Sequence, residues 1–203
     1  LQQFILFKNF SIMSVLVVAT GNPGKLQEMQ SYLQDLPWEL RLKPPELDIE
    51  ETGTTFLENA ALKASQVAKA LNEWAIADDS GLAVDALHGA PGLYSARYGT
   101  TDQERIERLL TELGDNPNRQ ATFICAVAIA KPDGSIAAQV QGECPGEIIT
   151  TLQGSGGFGY DPIFYVPEYQ QTFAEMSAAV KHIASHRGRA FAQLQPYLNA
   201  LFN

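Results

Sequence analysis

Val15 to Ala19 is an unbroken run of β-branched and apolar residues, and Thr20-Gly21-Asn22-Pro23-Gly24-Lys25 follows it directly. A short continuous run closed by a glycine turn reads as a strand buried on both faces, since a half-exposed strand would alternate. Leu26, Met29, Leu33 and Leu36 then recur at helical spacing, so a helix is expected from about Lys25 to Leu36. Buried strand, tight turn and helix together commit the chain to a sheet covered by helices.

The remaining elements fit that commitment. Trp38 to Leu42 reads as a second strand. Thr55 and Glu58 form a capping box, and Leu57, Ala61, Ala64, Ala68 and Leu71 make a narrow stripe that packs closely on a sheet. Ala75 to Asp79 reads as a strand ending in two carboxylates, and Gly81 to Tyr98 as a hairpin or irregular loop. Thr101 and Glu104 repeat the capping pattern ahead of Ile106, Leu109, Leu110 and Leu113, with Gly114 placed to stop the helix. Thr122 to Ala130 is apolar on both faces, a central strand. Pro132-Asp133-Gly134 turns it into Ser135 to Cys144, which alternates as a strand with one wet face. A last helix carries Ala190, Phe191, Leu194, Leu198 and Leu201, with Pro196 expected to bend it or remove a hydrogen bond. The fold class is α/β: a mixed, twisted sheet flanked by helices.

The balance of 14 Lys plus Arg against 23 Asp plus Glu gives a net charge of −9. A grip on polymeric nucleic acid needs a basic excess, so that partner is not expected. A small anion remains compatible, because a pocket can be locally basic. The apolar runs are too short for a transmembrane helix, and no membrane partner is expected. Cys125 and Cys144 lack Cys-x-x-Cys spacing, which argues against a cysteine metal site and for a reducing, cytoplasmic setting. Residues 1–12 read as an extension outside the fold, and residues 13–203 as a single domain.

Five segments could carry chemistry. Thr20 to Lys25 puts helix-start amides and an ammonium where a phosphate could sit, although a tight turn with a surface lysine looks the same. Leu26 follows Lys25 where a Walker loop has Ser or Thr, so this is no Walker loop. Asp78-Asp79-Ser80-Gly81 places acids at a strand end, where open sheets bind ligands. Adjacent strand residues point opposite ways, so one acid can face a cleft while the other caps a turn. Glu50 and Glu51 lie just before a helix, and either could join Asp79 at Mg²⁺, which takes one or two carboxylates. Gly154 to Gly159 matches a dinucleotide fingerprint in form only, since Tyr160-Asp161-Pro162 follows where a helix should open. Its Phe158 could stack on a base or tuck into the core. Lys181, His186 and Arg187 concentrate donors, and Ser185 suits a helix cap.

In this order the segments resemble the inosine triphosphate pyrophosphatase family, and its bacterial dITP/XTP pyrophosphatase branch in particular. The resemblance rests on Ala19-Thr20-Gly21-Asn22 with Lys25, Glu50-Glu51-Thr52-Gly53, Thr55 to Ala60, Ala77 to Leu82, Gly89-Ala90-Pro91-Gly92, Ser95 to Tyr98, Gly156 to Pro162 and Ser185-His186-Arg187. It implies two lobes around a central cleft, a homodimer, and hydrolysis of ITP, dITP and XTP to the monophosphate and pyrophosphate. It implies further that Thr20, Gly21, Asn22, Pro23, Gly24 and Lys25 hold the triphosphate. Glu50 and Asp79 would sit at Mg²⁺, with Asp79 also activating the water. Ser80, Phe158, Gly159, Tyr160, Asp161, Lys181, His186 and Arg187 would contact the nucleotide. Arg187 is expected to read the base edge with two donors, while Phe158 holds the ring. The family's aliphatic residue before Ser-His-Arg is Ala184 here, with Ile183 one place earlier. A nucleotide-binding module without catalysis would keep the lysine loop and lose the acids; Glu50, Asp78 and Asp79 are all present.

Overall fold

The buried run forms β1, Val15–Val18, and the helix after it is α1, Pro23–Leu33. The computed structural model describes residues 15–34 and 36–202; the expected extension at residues 1–12 lies outside them. α1 starts two residues before Lys25. Asn22 caps it, its Oδ1 accepting from the Gly24 and Lys25 amides at 2.9 and 3.2 Å, and Pro23 occupies the first turn, where its missing N–H costs nothing.

β2 (Glu39–Leu42) and β3 (Trp74–Val84) pair with β1 in parallel, joined by α2, Phe56–Leu71. From β3 the sheet turns antiparallel through β4 (Gln120–Ala130), β5 (Ile136–Ile148), β6 (Phe164–Val166) and β7 (Gln171–Thr172). The described residues thus form one seven-stranded mixed sheet in the order β2-β1-β3-β4-β5-β6-β7. α3 (Asp102–Leu113), α4 (Ala178–Ala184) and α5 (His186–Phe202) complete the helices.

Both capping boxes form, at Thr55/Glu58 and Thr101/Glu104, and Gly114 ends α3. Small residues decide the packing of α2. Ala60, Ala64 and Ala68 lie on Val17, Ala75, Ala77, Ala126 and Ala128, so helix and sheet approach closely. The opposite face holds α1 and α5: Met29, Leu33, Phe191, Leu194 and Leu198 pack on Leu16, Val18, Ile76, Cys125 and Val127. Gly142 makes the seat for α5. A Cβ there would stand 2.3 Å from the Ala190 nitrogen and 2.4 Å from the His186 oxygen, so only glycine lets the first turn of α5 touch β5.

One expectation changes. β3 does not stop at Asp79 but runs to Val84, because β4 pairs with it along that length, Val84 opposite Ala121. Ser185 caps a helix as expected, with Lys181 in α4 and Arg187 in α5. α4 ends at Ala184, and Ser185 stands between, its Oγ accepting from the Gly188 amide. α5 then runs through Pro196 uninterrupted, so its cost is the amide that proline cannot donate. Ala184 takes the core position before Ser-His-Arg, and Ile183 is 71 % exposed.

Candidate active site

The alternation of β3 distributes its two acids. Ile76 and Asp78 face α1 and α5, while Ala77 and Asp79 share the other parity and face α2. β1 ends at Val18, opposite Ile76, so both carboxylates stand just past the end of their parallel neighbour. That is the place at which an open sheet leaves a crevice. The acids are mid-strand in β3, yet at a strand end with respect to β1.

Asp78 is fully buried. Its Oδ2 meets Lys25 Nζ at 3.3 Å and accepts from Arg187 Nη2 at 2.9 Å. Burial alone would push this carboxyl up; Lys25, Arg187 and Lys63 outweigh it and hold the group far below the usual carboxylate range. Asp79 is bound instead by Lys63 of α2, Nζ to Oδ1 at 3.0 Å. The same ammonium reaches Glu51 Oε1 at 3.1 Å, and Glu51 also takes Arg97 at 2.6 Å. Burial disfavours the Lys63 charge, but Asp79, Asp78 and Glu51 reverse the sign and keep it protonated.

Two cavities meet here. One, of about 570 Å³, runs from Gly21 to Lys25 past Ser80 to Phe158–Asp161, Lys181, His186 and Arg187. The other, of about 350 Å³, contains Thr20, Glu51, Lys63 and Asp79. They share Gly21, Asn22, Lys25, Ser80 and Ala96, so α1 presents Lys25 to both. The structure thereby brings together every expected site residue except Glu50. Glu50 is exposed, its main chain bonded to the Gln66 amide, and the carboxylate facing Asp79 is that of Glu51.

The helix-start amides are partly engaged already. Thr20 Oγ1 accepts from the Asn22 amide, and Asn22 Oδ1 takes those of Gly24 and Lys25. The loop is therefore shaped by its own side chains, and Lys25 supplies its formal positive charge. Gly24 has a second use: a Cβ there would lie 2.6 Å from the Phe158 ring, so glycine lets that ring close onto α1.

Lys181 is clamped between Asp161 Oδ2, at 2.7 Å, and Glu28 Oε1, at 2.8 Å. Glu28 also binds Arg187 Nη1, and Ser80 Oγ lies 3.1 Å from Nη2. Arg187 is 1 % exposed, and both terminal nitrogens are occupied by protein. Nε has no partner, and Nη1 keeps one N–H beyond its bond to Glu28. His186 Nδ1 and Asp78 Oδ1 are likewise buried and unpartnered. Tyr160 turns inward, its hydroxyl donating to the Ser95 carbonyl at 2.9 Å, and shows the cleft only its ring.

Among the described residues no group of three or more His, Cys, Asp or Glu side chains surrounds one point. Mg²⁺ does not need one, since it keeps waters and takes phosphate oxygens. Asp79 and Glu51 are two hard oxygen donors that already share one cation, the Lys63 ammonium. That donor set fits Mg²⁺.

The sequence profile of the Ham1 family matches residues 16–197. The chain belongs to the Ham1 family. It is 65 % identical over 189 residues to a dITP/XTP pyrophosphatase of Nostoc sp. strain PCC 7120, covering 93 % of this chain and 96 % of that one. It is 64 % identical over 182 residues to a dITP/XTP pyrophosphatase of Synechocystis sp. strain PCC 6803, covering 90 % and 94 %. Among solved structures it resembles the Ham1 protein of Staphylococcus aureus, with TM-score 0.83 and 42 % identity over 93 % of this chain and all of that one. A HAM1 protein from Coxiella burnetii gives TM-score 0.85 and 43 % identity with the same coverage. Against the Ham1 background, the residues that the sequence alone left unremarked are Lys63 and Glu28. Lys63 carried a signal: a charge between Ala60 and Ala64 on the apolar face of α2, where a lysine is buried only if paired. Glu28 carried none, because its partners lie more than 150 residues away.

Proposed function

We propose that this Ham1-family protein hydrolyses non-standard purine nucleoside triphosphates, ITP, dITP and XTP, to the monophosphate and pyrophosphate. The observation that carries the reading is Lys25, shared by the two cavities, with Asp79 in one and Phe158 in the other. A triphosphate laid over Lys25 reaches Asp79 with its phosphates and Phe158 with its base. The names of the relatives at 65 % and 64 % identity point to the same substrates.

In this reading Lys25 balances charge on the triphosphate, and Asp79 orients and deprotonates the attacking water. Lys63 holds the Asp79 carboxylate in place. Asp79 and Glu51 would hold Mg²⁺; the shared lysine supports Glu51 over Glu50. When bound, the ion neutralises phosphate oxygens. Phe158 stacks on the base without regard to its identity. Arg187 Nε, His186 and Lys181 are the donors near it, suited to the O6 of hypoxanthine and xanthine. A homodimer belongs to the same reading through the family resemblance. So does a cytoplasmic setting, supported by two buried free thiols. Among the described residues no helix is long and apolar enough to cross a membrane.

Product analysis tests the proposal. With ITP and Mg²⁺ the protein releases IMP and pyrophosphate in equal amounts, and EDTA stops it. Asp79→Asn binds ITP but turns it over at least about a hundredfold more slowly, the scale of a lost general base. Release of orthophosphate, or full turnover by Asp79→Asn, overturns the assignment.

A further inference from the structure

Phe158 stands between two spaces. Its ring, with Gly24 and Lys181, lines both the 570 Å³ cavity and a neighbouring one of about 430 Å³. The position of that ring therefore sets the width of the slot in which a base could stack. The segment that carries it is glycine-rich and largely exposed, so something must fix it.

Part of the fixing is local. Asp161 Oδ2 accepts from the Phe158 amide at 2.9 Å, and the Asp161 amide donates back to the Phe158 carbonyl. The flanks of the turn are tied down elsewhere, by Lys181 on Asp161 Oδ2, by the Tyr160 hydroxyl on the Ser95 carbonyl and by the Gly156 amide on the Ala174 carbonyl. At the tip beside Phe158 a further bond leaves the turn: the Gly159 amide donates to Asp102 Oδ2 at 2.7 Å, across 57 residues of sequence. Asp102 is the first residue of α3, and Arg105, one turn on, binds its other oxygen, so Oδ2 is directed at the loop. α3 is anchored independently by Ile106, Leu109 and Leu113 in the core. Asp102, Arg105 and Gly159 all border the larger cavity, so this bond crosses its rim.

We propose that Asp102 is a positioning residue: it latches the Phe158 loop to α3 and thereby sets the base-stacking slot. The inference rests on the proposed nucleotide site. A charge-assisted hydrogen bond is strong enough to hold a loop. The Asp102 side chain is 47 % exposed, so water competes for the bond and the latch opens reversibly. A nucleotide can then enter while the loop is released and be held when Gly159 returns to Asp102. Asp102 itself touches neither phosphate nor water in this scheme, so its loss weakens binding and spares chemistry.

Three substitutions test this. Asp102→Ala and Asp102→Ser remove the acceptor that reaches Gly159; Asp102→Asn keeps an oxygen there. The Thr101/Glu104 capping box does not involve the Asp102 side chain, so α3 still starts in each variant. With Asp102→Ala and Asp102→Ser, KM for ITP, dITP and XTP rises by a common factor of about threefold or more, the loss of one solvent-exposed charge-assisted bond, while kcat stays within about twofold. Asp102→Asn returns KM to within about twofold of the parent. A KM unchanged in Asp102→Ala, a loss confined to kcat, or a loss confined to one base overturns the latch. Limited chymotrypsin digestion without nucleotide gives a second readout. Cleavage after Phe158 and Tyr160 is faster in Asp102→Ala and Asp102→Ser than in the parent and Asp102→Asn. Equal cleavage in all four overturns the latch. If the parent itself fails to hydrolyse ITP, the proposed function falls, and the digestion still decides the latch.

Discussion

Arg187 shows how a buried side chain can be committed before any ligand arrives. Its Nη2 binds Asp78 and its Nη1 binds Glu28, and burial leaves no water to replace either. Removing one partner of a buried pair costs about 3–5 kcal/mol, because the other charge is stranded. Arg187→Ala is therefore a stability variant first: its Tm falls by roughly 10 °C, at 2–4 °C for each kcal/mol in a domain of this size. Asp78 is the stranded partner, so adding Asp78→Asn to Arg187→Ala costs much less than Asp78→Asn alone. Thermal melts of the four proteins measure the coupling, and simple addition of the two losses would separate the residues. At this scale the sequence named Lys25, Asp78, Asp79, Lys181 and Arg187 from residue type and local context. Residue type and context did not separate Asp78 from Asp79 by role; only the family resemblance assigned the water and the metal to Asp79. Strand alternation says only that they face opposite ways, and the roles follow from which lysine waits on each side. The residues alone left Glu50 and Glu51 open, since a loop has no period from which to read direction, and the resemblance chose Glu50.

Elements carry these residues to one another, and the close contact between α5 and β5 is one of them. Gly142→Ala puts a methyl carbon within 2.4 Å of α5 backbone atoms, which cannot rotate away as a flexible side chain could. The first turn of α5 must shift, and His186 and Arg187 shift with it. Overpacking of this kind costs about 1–3 kcal/mol. Gly142→Ala should accordingly lose both Tm and ITP turnover, although residue 142 lines neither cavity of the site. Gly21→Ala, with nothing within 4 Å of the added carbon, should keep the parent Tm. Equal melting of the two variants would show that α5 can retreat without loss. Helices with capping boxes were legible because the signal is local: Thr55 and Thr101 fix the starts of α2 and α3. The second half of β3 was not. Ser80-Gly81-Leu82 reads as a turn until β4 is alongside, and Gly81 is small because the Gly92 carbonyl crosses it.

The whole molecule sets aside one group whose charge it cannot accept. His186 stacks on Phe123 and, less closely, on Phe173, with Arg187 and Lys181 nearby and its Nδ1 unpartnered. Burial first, and then Arg187 and Lys181, push its imidazole well below the ordinary value; Asp78 opposes them and loses. The folded chain thus keeps His186 neutral, while the unfolded chain protonates it with a pKa of about 6.5. Below that pH the unfolded state binds the extra proton, so stability falls as pH falls. The contribution is whole above about pH 6.5 and declines progressively beneath it. His186→Phe keeps a ring against Phe123 and removes the titration. Carboxylates such as Asp161 and Glu28 titrate in both proteins and cancel in the comparison. The parent should therefore lose Tm between pH 6.5 and 5 faster than His186→Phe, the gap widening steadily as pH drops. Parallel curves over that window would mean that His186 takes up its proton inside the fold.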